Sequence, residues 1–120
     1  MPIKALDFTP NSEVYLVYNV DLDQIIVEQG SRQVMAPASM IKLLSALVVY
    51  DRVSDLGNEV MVTEVMLKGL KSADASVMGL KVNEVIRYED LLYGLLVASG
   101  GDAAQVLAVS VGGDLAGFVE

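Results

Sequence analysis

The sequence predicts a mixed α/β (α+β) fold in which one β-hairpin leads into a mainly helical subdomain. Three observations predict it. Residues 13–20 (EVYLVYNV) and 24–29 (QIIVEQ) are rich in Val, Ile and Tyr and flank Asp21-Leu22-Asp23, the pattern of an antiparallel hairpin. From residue 38 to about residue 52 the apolar positions switch to helical spacing. Beyond residue 87, acidic residues stand at the openings of further apolar segments, where they suit helix starts. A chain of 120 residues is long enough for one domain and short for two.

Taken in order, residues 1–12 form an N-terminal segment and residues 13–29 the hairpin. Residues 30–37 read as a loop in which Pro37 sets φ just ahead of a helix. The helix over residues 38–52 carries Met40, Ile41, Leu44, Leu47, Val48 and Tyr50, a face broad enough to predict burial on most sides. Residues 53–120 complete the helical subdomain. Within it, residues 60–63 read as a short extended piece, and Gly69 and Gly79 punctuate the stretch beyond it. Arg87-Tyr88-Glu89-Asp90 opens the helix EDLLYGLLVAS, and Ser99-Gly100-Gly101 interrupts it. Asp102 reads as the N-cap of DAAQVLAVSVG, and Asp114 starts a last helix with no stop signal. A two-stranded hairpin is marginal alone. The hairpin and the unterminated helix together read as one partial domain, the front part of something larger.

Composition narrows the chemistry. A net charge of −8 argues against nucleic acid and against an anionic membrane surface, because both need a basic face. The chain has no Cys and no His, which removes disulfides, thiolate chemistry, the usual zinc sites and any His-based triad. A general base must then be Lys, Asp, Glu or Tyr. The N-terminus lacks a basic cap before an apolar core, so no signal peptide is read there. No apolar run reaches the ~18 residues of a membrane span, and the chain reads as soluble.

Pro37–Lys42 reads PASMIK, which places Ser39 and Lys42 at i and i+3. On a helix such a pair lies on one face about one turn apart. A desolvated lysine there can serve as base to the hydroxyl. With nine Ser and five Lys, about 0.4 such pairs arise by chance, so the bare motif is weak. A plain reading, with Ser39 as N-cap and Lys42 on a solvated edge, stands beside the catalytic one.

The wider pattern bears on that choice. YLVYNVDLDQIIVEQGSRQVMAPASMIK resembles the opening hairpin, loop and serine helix of the D-alanyl-D-alanine carboxypeptidases, which are low-molecular-weight penicillin-binding proteins related to serine β-lactamases. GLKVNEVIRYEDLLYGLLVASGGDAAQVLA is similar to the region of that family's second motif. The two matches stand about sixty residues apart, in the family's order. The resemblance implies the N-terminal portion of the β-lactamase/penicillin-binding-protein transpeptidase-like fold. It implies Ser39 as the acylated nucleophile, Lys42 as its general base and Ser99 as a proton relay toward the leaving group. The backbone N–H of Ser39 would form half of an oxyanion hole. The implied reaction is serine-type D-Ala-D-Ala carboxypeptidase chemistry on a peptidoglycan pentapeptide, with β-lactams as covalent inhibitors. No metal or other cofactor is implied, and the family's location is the cell envelope.

Two departures qualify the resemblance. Gly101 stands in the substrate-binding position where the family's second motif usually carries Asn, and a glycine can hydrogen-bond neither substrate nor lysine through a side chain. Ser99-Gly100-Gly101 can equally be a plain helix–helix turn. The family's third motif, Lys-Thr-Gly, is absent from the 120 residues; Lys71-Ser72-Ala73 is the nearest tripeptide. Residues 1–120 alone are therefore expected to have little carboxypeptidase activity. A non-catalytic binding module, or a structural piece that associates through an open sheet edge, are the alternatives. Asp21 and Asp23 read as solvated turn acids, Tyr88 and Tyr93 as core or boundary residues, and the six methionines as core filling. Glu89 and Asp90 are adjacent on a helix, point apart and do not share an acid–base task.

Overall fold

Tyr15–Asn19 (β1) and Gln24–Gln29 (β2) pair antiparallel, from Tyr15 opposite Gln29 to Asn19 opposite Gln24, with a register shift between Val17 and Tyr18. The connecting turn is chemically specified. Asn19 Oδ1 accepts from Leu22 N–H at 2.9 Å, the Tyr18 hydroxyl donates to Asp23, and Asp23 takes the left-handed region at φ 51°, which Asp tolerates better than most residues. The computed structural model describes residues 10–70 and 76–120. The segment expected over residues 1–12 lies mostly outside them, and Lys71-Ser72-Ala73 wholly so. The hairpin belongs to a unit spanning Met1–Ala36, and all the helices belong to a second unit, Pro37–Glu120.

The second unit opens with a 3-10 turn, Ala38–Met40, that runs directly into Ile41–Arg52 (α1). Glu59–Met61 (β3) and Val85–Arg87 (β4) pair antiparallel, with Val60 opposite Ile86. The extended piece expected at residues 60–63 is thus half of a second small sheet. Its partner strand takes Arg87, which sequence periodicity assigns to the next helix. That strand delivers the chain into Tyr88–Leu96 (α2), whose first two amides donate to Asn58 and Leu56 carbonyls at 3.0 Å each. Gly101–Gly112 (α3) and Leu115–Val119 (α4) complete the unit. The core lies where α2 and α3 meet β3 and one stripe of α1. Leu91, Leu95, Val106 and Leu107 are buried together with Val49, Val60, Val62, Met66 and Ala103. Full burial of a Val- or Leu-sized side chain contributes about 1.5–3 kcal/mol.

α1 departs from expectation. Val49 is its buried residue, whereas Leu43, Leu47 and Tyr50 are 60%, 65% and 71% exposed. Its broad apolar face is present as a pattern, but α1 packs into the core of this unit along one stripe only, marked by Val49 and Ala46.

α4 docks through glycines. A Cβ on Gly112 would stand 2.5 Å from Phe118 N and 2.6 Å from Phe118 Cα, and one on Gly117 would stand 2.5 Å from the Gly112 carbonyl oxygen. These neighbours are backbone atoms and cannot swing aside. Gly112→Ala is expected to lift α4 from the end of α3 at a cost of about 1–3 kcal/mol. Urea unfolding, with amide exchange over residues 115–119, measures it. An unchanged midpoint and unchanged protection would count against this close approach.

Candidate active site

Ser39 is the middle residue of the 3-10 turn and Lys42 the second residue of α1, so the continuous helical path carries both side chains toward one side. Ser99 arrives from the far end of α2, where α2 has stopped at Leu96 and α3 has not begun. The Lys42 ammonium nitrogen, Nζ, donates to the Ser99 carbonyl oxygen at 2.5 Å and to Ser99 Oγ at 2.7 Å. Ser99 Oγ in turn lies 3.1 Å from Ser39 Oγ, as donor in that bond. The three side chains form one hydrogen-bonded line, Lys42–Ser99–Ser39, across 57 and 60 residues of sequence. Ser99 stands between base candidate and nucleophile candidate.

Two residues that frame this line are conformationally costly. Ala38, just before Ser39, has φ 48°, and Ser99 has φ 53°. For a residue with a Cβ the left-handed region costs on the order of 1–2 kcal/mol. Such strain persists only where surrounding contacts over-determine it, and it concentrates at functional sites. At Ser99 it allows one residue to present both its carbonyl and its hydroxyl to Lys42.

The contacts that hold this turn involve a residue whose role the sequence concealed. Asp102 is not the N-cap of α3; Gly100 is, and Asp102 sits in the first turn. Asp102 is only 3% exposed. Oδ1 accepts from Met78 N–H at 2.9 Å and from its own neighbour Ala103 N–H at 2.9 Å. Oδ2 accepts from Gly79 N–H at 2.8 Å and Leu80 N–H at 2.9 Å. The carboxylate therefore gathers three successive amides of a strap over residues 76–80. Gly101 N–H adds a bond to the Ser76 carbonyl at 2.7 Å, and Gly100 N–H donates to Gly94 O at 3.0 Å. Met78 lies over Gly94, where a Cβ would come within 2.1 Å of its sulfur.

Burial works to raise the Asp102 carboxyl pKa, but the amides of Leu80, Met78, Gly79 and Ala103 outweigh it and hold the group below its ordinary value. A depressed folded-state value contributes stability above the unfolded carboxyl range, about pH 4, and that stability is lost as pH falls through the lowered value. Thermal melts from pH 7 down to pH 2 should show the wild type losing more stability than Asp102→Asn as the acid range is entered. Parallel curves would show that the group does not titrate with folding.

Gly101 is the first residue of α3 and has an ordinary backbone conformation. It offers only its N–H, already given to Ser76. The remaining titratable pairs behave as surface groups. Arg87 bridges Glu89 at 2.7 Å and Asp90 at 3.1 Å with all three side chains well exposed, which is a strand-to-helix clasp of small energetic weight. Among the described residues, no group of three or more acidic side chains could hold a metal ion. No described helix is long and apolar enough to cross a membrane.

Against known proteins, residues 4–120 match the D-alanyl-D-alanine carboxypeptidase family. The chain is 34% identical over 102 residues to D-alanyl-D-alanine carboxypeptidase DacB2 of Mycobacterium tuberculosis, covering 85% of this chain and 33% of that protein. It superposes on the crystal structure of a D-alanyl-D-alanine carboxypeptidase from M. tuberculosis H37Rv with a TM-score of 0.73 and 33% identity, over 83% of this chain and 36% of the other. Penicillin binding protein 5 from Haemophilus influenzae gives a TM-score of 0.80 and 27% identity, over 93% and 34%. The helix–strand arrangement is thus that of the penicillin-binding-protein/β-lactamase-like carboxypeptidases. The chain spans about a third of the length of the relatives it matches.

Proposed function

Because the chain belongs to the D-alanyl-D-alanine carboxypeptidase family, we propose that it carries the nucleophile half of a serine-type D-Ala-D-Ala carboxypeptidase site. The observation that supports this most directly is the Lys42–Ser99–Ser39 line of hydrogen bonds. In this reading Ser39 Oγ attacks the carbonyl carbon of the terminal D-Ala-D-Ala bond of a peptidoglycan pentapeptide. With the two serine hydroxyls turned so that Ser39 donates to Ser99, the Ser39 proton passes through the Ser99 hydroxyl to Lys42 Nζ as general base. The same path returns that proton to the departing amine of D-alanine as the tetrahedral intermediate collapses to the Ser39 ester. Water then hydrolyses the ester, and Ser39 is restored. The Ser39 N–H, at the opening of the helix, supplies one donor to the oxyanion. Penicillins acylate the same hydroxyl by opening of their strained amide, and the working location is the cell envelope. The chemistry needs no metal or organic cofactor.

The Lys-Thr-Gly motif, which in the family lines the opposite wall of the cleft, is absent from these 120 residues. Residues 1–120 alone are therefore expected to label slowly with a fluorescent penicillin. A chimera in which they replace the matching third of the M. tuberculosis relative is expected to label readily, with the adduct on the peptide containing Ser39. Mass spectrometry of the digested adduct locates it. A chimera that folds but carries no adduct on Ser39 would sink the proposal. Rapid labelling of residues 1–120 alone would show that the second wall is not required. Gly101 favours one other reading, a binding or structural piece that has lost turnover. That piece would bind penicillin reversibly with no ester.

A further inference from the structure

Ser99 holds a conformation that costs energy, and its hydroxyl and carbonyl face Lys42 and Ser39, the groups it is there to serve. A second set of restraints acts on the residues next along the chain. The Gly100 amide is tied back to the α2 carbonyl of Gly94. Beyond it, Gly101 is tied to Ser76 and Asp102 to Met78, Gly79 and Leu80. Deleting the Asp102 carboxylate would leave three strap amides without their acceptor and, among the described residues, the Gly101–Ser76 hydrogen bond to anchor the strap to the start of α3. From this arrangement we infer that Asp102 is the positioning residue of the site: its carboxylate locks the strap over residues 76–80 to α3 and thereby holds Ser99 between Lys42 and Ser39. The inference rests on the proposed catalytic reading only for its consequence on acylation; the mechanical link from Asp102 to Lys42 stands apart from it.

The carboxylate suits this task better than a neutral side chain. Two oxygens accept four N–H bonds in a buried setting, and charge-assisted bonds of this kind are about twice as strong as neutral ones. Asparagine has nearly the same shape but replaces one oxygen with an NH2 that faces amide donors. Asp102→Asn therefore tests the acceptor and not the volume. Gly79 provides an independent lever. It has φ 96° and open space around its Cβ position, so Gly79→Ala strains the strap backbone without a steric collision.

The test reads the link without relying on turnover. In the wild type, Lys42 is half-buried and bonded to Ser99, whereas Lys68 is exposed. Lysine acetylation by acetic anhydride, quantified by mass spectrometry, gives the Lys42/Lys68 modification ratio. Asp102→Asn is expected to raise that ratio by at least about threefold, with faster exchange of the Met78, Gly79 and Leu80 amides. In the chimera, Ser39 acylation by a fluorescent penicillin is expected to fall about tenfold or more, with little change in the initial binding constant, because small misplacements of reacting groups act on the chemical step. Gly79→Ala should move all three readouts in the same direction, and it decides the question if Asp102→Asn fails to fold. Val60→Ala, a core change in β3 that removes none of the strap's hydrogen bonds to Asp102, should lower thermal stability and leave the lysine ratio at its wild-type value. A strap that exchanges faster while the Lys42/Lys68 ratio stays constant overturns the inference. Absence of penicillin labelling in the parent chimera would count against the catalytic reading instead, and the lysine ratio would still decide this one.

Discussion

Ser39→Ala is expected to abolish the covalent penicillin adduct, and Lys42→Ala to slow its formation by about 10²–10⁴-fold, the range that a positioned general base supplies. Neither change should unfold the protein. Ser39 is exposed and its side chain bonds only Ser99 Oγ among the described residues. Lys42 is half-buried, and its removal leaves two acceptors on Ser99 that water can reach. Lys42→Arg separates two roles that alanine merges. A guanidinium keeps the positive charge beside Ser99 but does not give up its proton in a protein. A base role predicts that Lys42→Arg is nearly as slow as Lys42→Ala, whereas a purely electrostatic role predicts recovery. Second-order acylation rates of the chimera and its variants measure this. Near-wild-type labelling of Lys42→Arg would sink the base assignment.

Gly101→Asn is expected to change the same rate in the opposite direction, by about 10²-fold, the order associated with one oriented donor or acceptor in an oxyanion-type site. The backbone permits it. Gly101 opens α3 with a helical conformation, and asparagine is no worse than glycine in a helix. Its amide would have Lys42 and the substrate within its range of roles, which a glycine cannot serve. If acylation stays at the level of the parent chimera while the fold is intact, a side chain at 101 does not reach the reacting groups. Gly101 would then be a neutral variation in the motif.

Much of the candidate site is legible in the sequence because its signals are local. The i, i+3 spacing of Ser39 and Lys42, the apolar periodicity of α1 and the Ser99-Gly100 break before α3 each concern neighbours along the chain. The hairpin was readable from β-rich runs around a short acidic turn, and β1 and β2 lie within the residues expected. β4 was not readable. Three residues, Val85–Arg87, carry too little alternation to compete with the helical pattern that begins at Tyr88, and only pairing with β3 makes them a strand. Asp102 was misplaced for a related reason. An acid at the start of a helix matches an N-cap in sequence, and nothing local says that the side chain turns away to collect amides from residues 78–80.

By itself, the sequence limited the residues available for chemistry: with no His and no Cys, a general base could only be Lys, Asp, Glu or Tyr, and one Ser–Lys pair lay in a family-like setting. It also determined that α1 has an apolar face. Only the tertiary structure decided that Ser99 stands between that pair, that the start of α3 is pinned by a buried carboxylate, and that α1 gives the core of its unit one stripe only. The physical reason is range. Propensity, capping and periodicity act over a few residues, whereas the bonds that assemble this site join positions 22 to 60 residues apart. Their geometry exists only after α2 and α3 have packed on their common core.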